Sequence, residues 1–193
     1  MKILTETKAL GELRELKTAY QKFIKTNYEH RAADCEVCPT KGACCLDAHF
    51  VNVHITRLEA AAIRETLENL DEKTQRKIYR RAEEAIEKYD LKTSGETFQK
   101  TYACPLFETG SGCLVHREAK PAPCISHACY ENEKDLPPDN FQAEIENQVE
   151  RLNERTYGKN PVWLPIPVWL ELINSFSRIP KNKTAQSNKE SAR

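Results

Sequence analysis

The sequence predicts a mainly α-helical chain with a small β-hairpin and short strands, an α+β class in which helices pack around a cysteine-rich, metal-binding loop core. Three observations predict it. Several stretches carry apolar residues at the three-and-four spacing of one helix face. Only one short stretch alternates apolar and polar residues as a half-buried strand does. All eight cysteines of the 193-residue chain fall in two groups, residues 35–45 and 104–129.

The first helix is predicted over 6–30, where Leu10, Leu13, Leu16, Tyr20, Phe23, Ile24 and Tyr28 define an apolar stripe leading straight to the first cysteines. After Cys45, residues 49–55 alternate. Val51, Val53 and Ile55 share one side of the expected strand, and Asn52 and His54 the other. Thr56-Arg-Leu-Glu59 then reads as a capping box, in which hydroxyl and carboxylate each satisfy an orphan amide at a helix start. The helix it opens turns Leu58, Ala62, Ile63, Leu67 and Leu70 inward. A further helix is expected from Glu72 to Tyr89, with Ile78, Ala82, Ala85, Ile86 and Tyr89 as its apolar face.

Residues 102–107 and 113–116 flank a loop whose Gly110 and Gly112 can take positive backbone angles, so a small hairpin is predicted with Cys104 and Cys113 near its turn. Pro121 and Pro123 forbid a continuing strand and leave Cys124 and Cys129 in a loop or short helical turn. A helix from Phe141 to Tyr157 should stop at Gly158. The apolar, proline-broken stretch 161–170 is too short to span a bilayer, which takes about 20 apolar residues, and is expected to pack Trp163 and Trp169 across the helices. One domain is therefore expected over 1–178, with its motif region at 35–129 and a Trp-rich helical segment at 141–178, followed by a disordered polar tail at 179–193.

Composition narrows the function. Twenty-nine basic residues balance twenty-nine acidic ones, and their intermixing favours neither a nucleic-acid nor a membrane partner. The basic run Arg76, Lys77, Arg80 and Arg81 lies among glutamates, as a solvated helix face with ion pairs one turn apart would. Residues 1–30 lack the apolar run and cleavage site of a secretory leader. A reducing cytoplasm is the expected setting, where clustered cysteines serve metal or redox chemistry rather than disulfides.

Cys35, Cys38, Cys44, Cys45, Cys104, Cys113, Cys124 and Cys129 are the candidate metal ligands. Two thiolates separated by two residues, as Cys35 and Cys38 are, reach one ion without strain. Adjacent Cys44 and Cys45 point apart in an extended backbone but could serve two ions or two corners of a cluster from a tight turn. Eight thiolates suffice for two four-sulfur sites, or for one cluster with four spare cysteines. The compact loop with Lys41-Gly42-Ala43 and the Cys104-Pro105 pair favour an iron–sulfur cluster. Cys35-x-x-Cys38 with His116 and His127 nearby speaks for Zn2+. His127 is expected beside a ligand rather than as one, His116 on the hairpin surface, and His30 at a helix end. His49 and His54 fall on opposite faces of their strand. Lys120 and Arg117 are expected to moderate the negative charge of the thiolates.

These motifs, in this order, resemble the YkgJ-like cysteine-cluster family, described as zinc- or iron-chelating. The resemblance rests on Cys35…Cys45, the strand and capped helix from Val51 to Glu59, Cys104-Pro-Leu-Phe107, Gly110-Ser-Gly-Cys113 and Lys120-Pro-Ala-Pro-Cys124. The chain departs from the pattern in a longer gap between Cys38 and Cys44, in Lys120 where the family often has arginine, and in His116 where it often has tyrosine. The resemblance implies metal binding and names no reaction. Longer relatives, the flagellin lysine N-methylases, look similar in the cysteine region and are associated with an iron–sulfur cluster and methyl transfer. This chain shows no glycine-rich strand-turn-helix for S-adenosylmethionine.

The leading expectation is a metal-binding protein without turnover of its own, with a protein partner left open. A metal-dependent or iron–sulfur enzyme and a thiol redox sensor are the alternatives. No Ser-His-Asp order, paired catalytic carboxylates, phosphate loop or metalloprotease helix is present to support a stand-alone enzyme.

Overall fold

The computed structural model describes residues 3–33, 42–46, 52–159 and 162–174. Cys35, Cys38, His49 and the tail from residue 179 lie outside these. Among the described residues six α-helices dominate: α1 (Glu6–Asn27), α2 (Arg57–Glu68), α3 (Glu72–Tyr89), α4 (Ala122–Ser126), α5 (Asp139–Tyr157) and α6 (Ile166–Ile173). Four two-residue strands form two antiparallel pairs, β1 (His54–Ile55) with β4 (Leu164–Pro165) and β2 (Phe107–Glu108) with β3 (Gly112–Cys113).

The helix starts follow their local chemistry. Thr5 caps α1 by accepting from the Lys8 amide, and Asp71 caps α3 by accepting from that of Thr74. At α2 the capping box is complete: Thr56 Oγ1 accepts from the Glu59 amide, and Glu59 Oε2 accepts from the Thr56 amide at 3.5 Å. Gly158, at φ 93°, ends α5 where the sequence places the stop. The helix expected over 6–30 ends instead at Asn27, and Glu29–Arg31 form a separate 3-10 turn.

Two apolar clusters meet across α2. Ala60, Ile63 and Leu67 face α3, α6, the hairpin and Tyr102, whereas Leu58 and Ala61 face α1, α4 and α5. A helix clasped on both sides buries more than one stripe, so Leu58, Ala60, Ile63 and Leu67 are all fully buried. Residues 162–170 yield more order than the prolines of this stretch foretell. β4 pairs with β1, and α6 starts with Pro167 in its first turn, where a missing amide is tolerated. The buried Trp169 donates its indole N–H to the Ile55 carbonyl at 2.8 Å, while the half-buried Trp163 donates to Glu150 at 3.1 Å. The expected packing of both tryptophans across the helices is thus observed.

One buried carboxylate joins three helices. Glu59 has no exposed surface, and beyond its cap it accepts from Lys17 Nζ of α1 at 3.3 Å and from the Ala122 amide of α4 at 2.9 Å. Lys17 itself is 6% exposed. A half-pair left in such surroundings costs about 3–5 kcal/mol. Glu59→Ala should therefore lower unfolding stability in urea by about that amount, whereas Lys17→Met combined with Glu59→Met should recover most of it, since removal of both ions is often nearly neutral.

Candidate functional site

The site begins at a glycine. Gly42 sits at φ 79°, and a Cβ there would lie 2.0 Å from the Phe107 ring, so this residue permits both the left-handed turn and the close approach of β2. The turn closes with the Cys45 amide donating to the Gly42 carbonyl at 2.8 Å, and Ala43–Cys45 form a 3-10 turn. That turn holds adjacent Cys44 and Cys45 on one side of the chain, with their sulfurs 4.0 Å apart.

The loop docks on the second cysteine group through the backbone, the Cys104 amide donating to the Cys45 carbonyl at 2.8 Å. Cys104 precedes β2, and Cys113 lies on β3 directly opposite Phe107. The paired part of this hairpin is shorter than the expected arms, 102–107 and 113–116. Cys104 and Phe107 close a tight turn before it, and Leu114 donates to Leu106 at 2.9 Å to extend it. Arg81 of α3 donates to the Phe107 carbonyl at 2.5 Å, and Lys77 pairs with Glu108 at 2.6 Å, fixing the hairpin to the helix. The rest of that basic run forms the expected pairs one turn apart, Arg76 with Glu72 and Arg80 with Glu84. Cys124 lies in α4, whose first amide is the one bound by Glu59.

Five thiols share one neighbourhood. Cys45 exchanges side-chain hydrogen bonds with Cys104 and Cys44, and Cys113 bears on its charge; Cys124 feels both Cys113 and Cys45. Cys104 and Cys113 pack partly buried against the first apolar cluster, whereas Cys44 is exposed. Cys129 is exposed as well, its carbonyl accepting from the Ala33 amide at 2.8 Å where the two chain segments run antiparallel. The centre of the fold is thus apolar, and the described thiols lie on its margin. Among the described residues no three thiol, imidazole or carboxylate groups gather as a ready metal site.

Cys44, Cys45, Cys113 and Cys124 hold their protons tightly. The hydrogen bond to Cys104 and burial push Cys45 up to about 12, and burial pushes Cys124 up to about 12. The Cys45 contact raises Cys44, and burial raises Cys113. Lys120 opposes the rise at Cys44, Cys113 and Cys124, as expected of a cation placed to offset thiolate charge, whereas the exposed Arg117 bears on His116. Neutral thiols grouped this closely are poor nucleophiles. As a donor set they suit a soft cation, whose charge makes the thiolate form favourable.

The histidines have other roles. His116 and His127 are exposed, and His30 lies exposed in the turn after α1. His54, expected on the polar side of its strand, is 4% exposed. It stacks on Phe98 at 3.8 Å, its Nδ1–H donates to the Asn52 carbonyl at 2.6 Å, and Nε2 accepts from the Thr97 hydroxyl at 2.9 Å. The carbonyl, which can only accept, fixes this tautomer. A two-residue strand covered by the 97–100 loop overrides the alternation. The sequence reading also missed the Gly42–Phe107 contact and the reach of Glu59 to Lys17 and Ala122. Only the left-handed preference of glycine and the capping box hinted at them.

A cleft of about 190 Å³ lies between α1 and α2 and is lined by Leu10, Arg14, Lys17, Glu65 and Glu118 among others, with no cysteine. Among the described residues no helix is long and apolar enough to cross a membrane. No family model matches the chain, and neither a curated protein nor a solved structure does.

Two outcomes are expected. Gly42→Ala forces a left-handed alanine, at about 1–2 kcal/mol, and a clash with Phe107; it should lower Tm and raise the accessibility of Cys45 and Cys104 to a thiol reagent. Burial holds His54 neutral to a lower pH than in the unfolded chain, so the unfolded state gains the proton first. Its contribution is full above about pH 6.5 and is lost as pH falls through the lower folded value. Urea melts between pH 7.5 and 5 should show this loss, and His54→Gln should reduce it, leaving the part due to His116 and His127, which are shifted in the same direction.

Proposed function

We propose that this protein is a cytoplasmic cysteine-cluster metal-binding protein that holds iron, as an iron–sulfur cluster, or zinc through thiolates of its two cysteine groups, without turnover of its own. The observation that carries this reading is the convergence of the 42–46 loop with Cys104, Cys113 and Cys124, three separate segments that bring five thiols into one neighbourhood where they bear on one another's charge. A chain that needed cysteines only as small core residues would not group them at the margin of its apolar clusters. The order of motifs that resembles the YkgJ-like family supports the same reading, with Cys35 and Cys38 completing the donor set.

When bound, a thiophilic cation or cluster supplies positive charge that keeps its ligands deprotonated. The chain's own part is to hold the sulfurs together. Gly42 and the Cys104–Cys45 backbone bond set the first loop against the hairpin, Glu59 fixes α4 beneath Cys124, and Lys120 offsets residual negative charge. The raised thiols weigh against a thiol redox sensor, which works through stabilised thiolates.

Protein purified without oxygen should be brown, with broad absorption near ~400 nm from thiolate- and sulfide-held iron. Colourless protein with stoichiometric zinc and no acid-labile sulfide, even after anaerobic reconstitution, would assign the site to zinc. Cys113→Ser and Cys124→Ser should each lower bound metal and Tm together, because affinity present only in the folded state is folding energy. Retention of full metal and unchanged Tm would strike that residue from the site. Because Cys44, Cys45, Cys113 and Cys124 start protonated, zinc titration at pH 7.5 should release about one proton for each of them that binds. Lys120→Met should weaken metal retention against a chelator without abolishing folding.

A further inference from the structure

The cleft between α1 and α2 sets both signs of charge beside an apolar wall. Its volume is about 190 Å³. A closed cavity of about 150 Å³ holds one benzene ring, and drug-sized ligands take about 300 Å³ or more, so this space suits a body of roughly six to ten non-hydrogen atoms. Leu10 and Leu13 of α1 and Ala62 of α2 supply the apolar wall, whose side chains offer a water molecule no hydrogen bond.

Two charged groups of the lining are incompletely used. Lys17 is 6% exposed, and its ammonium carries three N–H donors. Among the described residues Glu59, at 3.3 Å, is the one side chain that accepts from it. Glu118, from the segment after β3, brings a carboxylate that forms no ion pair among the described residues. Thr66 and Asn69 add neutral acceptors. The Thr66 hydroxyl donates to the Ala62 carbonyl and the Asn69 amide to that of Glu65, both at 3.0 Å, so Oγ1 and Oδ1 keep their accepting capacity. Arg14 and Glu65 meet across the cleft at 3.4 Å with side chains 58% and 45% exposed, a pair that opens at little cost.

These groups discriminate between ligands. A carboxylic acid alone would give Lys17 an acceptor but would add a second uncompensated anion beside Glu118. An amine alone would neutralise Glu118 but leave the spare donors of the buried Lys17 unmet. A molecule carrying both ends meets both needs and adds no net charge.

We propose that this cleft binds a small aliphatic zwitterion, an α-amino acid of about the size of leucine. Its carboxylate takes the spare donors of Lys17 and the guanidinium of Arg14, its ammonium takes Glu118 with Thr66 and Asn69, and its side chain lies on the apolar wall. The site shares no residue with the thiol cluster and does not depend on a metal held there.

The test is calorimetric titration of the full chain with L-leucine, with 3-methylbutylamine, which lacks the carboxylate, and with 4-methylpentanoate, which lacks the ammonium. Leucine should bind about tenfold or more tightly than either, since each truncated analogue forfeits hydrogen bonds to a charged group. At roughly ten times its dissociation constant it should raise Tm by about 3–6 °C. Glu118→Gln should weaken leucine about tenfold without weakening 4-methylpentanoate, and Ala62→Leu, which fills the space beside the apolar wall, should abolish leucine binding. Equal affinity for leucine and the amine would reduce the place to the charge of Glu118, and equal affinity for leucine and the acid would reduce it to that of Lys17; either overturns the proposal. So does an absence of leucine binding, or leucine binding that either variant leaves unchanged. Should Ala62→Leu fail to fold, Glu118→Gln, at an exposed position, decides.

Discussion

A carboxylate with no solvent contact holds the arrangement together. Glu59 closes the cap of α2, pairs with Lys17 of α1 and accepts the amide of Ala122 at the start of α4. Each bond is modest alone, but a buried carboxylate left short of partners is severely disfavoured. The three helices are therefore fixed relative to one another by a group that tolerates little displacement. Because α4 carries Cys124 and follows directly from the hairpin strand bearing Cys113, the same carboxylate sets where the second cysteine group stands relative to the helices.

The thiol neighbourhood is built with a different economy. Its first loop meets the hairpin through a main-chain bond and one glycine-aromatic contact rather than through charged side chains. Lys120 is the cation that bears on most of them. Raised thiol values and the nearby Lys120 describe a donor set at rest, able to become strongly anionic only when a further compensating positive charge arrives.

Much of the helical plan was legible in the sequence because it rests on local rules. The α2 cap, the bounds of α3 and the glycine stop of α5 follow from residues within one turn of each other. The misplacements have a common cause in distant partners. His54 is buried because the 97–100 loop covers it, and α6 forms after Pro165 because β4 pairs with a strand more than a hundred residues earlier. At the candidate site, the sequence places the cysteines in two groups. Which thiols become neighbours depended on the Cys104–Cys45 backbone bond and on the fit of Phe107 over Gly42, neither of which has a periodicity to read.

The pairing of β1 with β4 also bears on the order in which the molecule is made. Ile55 receives the Trp169 indole across 114 residues of chain, and contacts of such separation form late because a long loop must close first. Synthesis proceeds from the N-terminus, so every cysteine, through Cys129, is already present before α6 exists to seal the first apolar cluster. The nascent chain thus offers its complete set of thiols to the surrounding solution while the half of the fold against which Cys104 and Cys113 pack is still open.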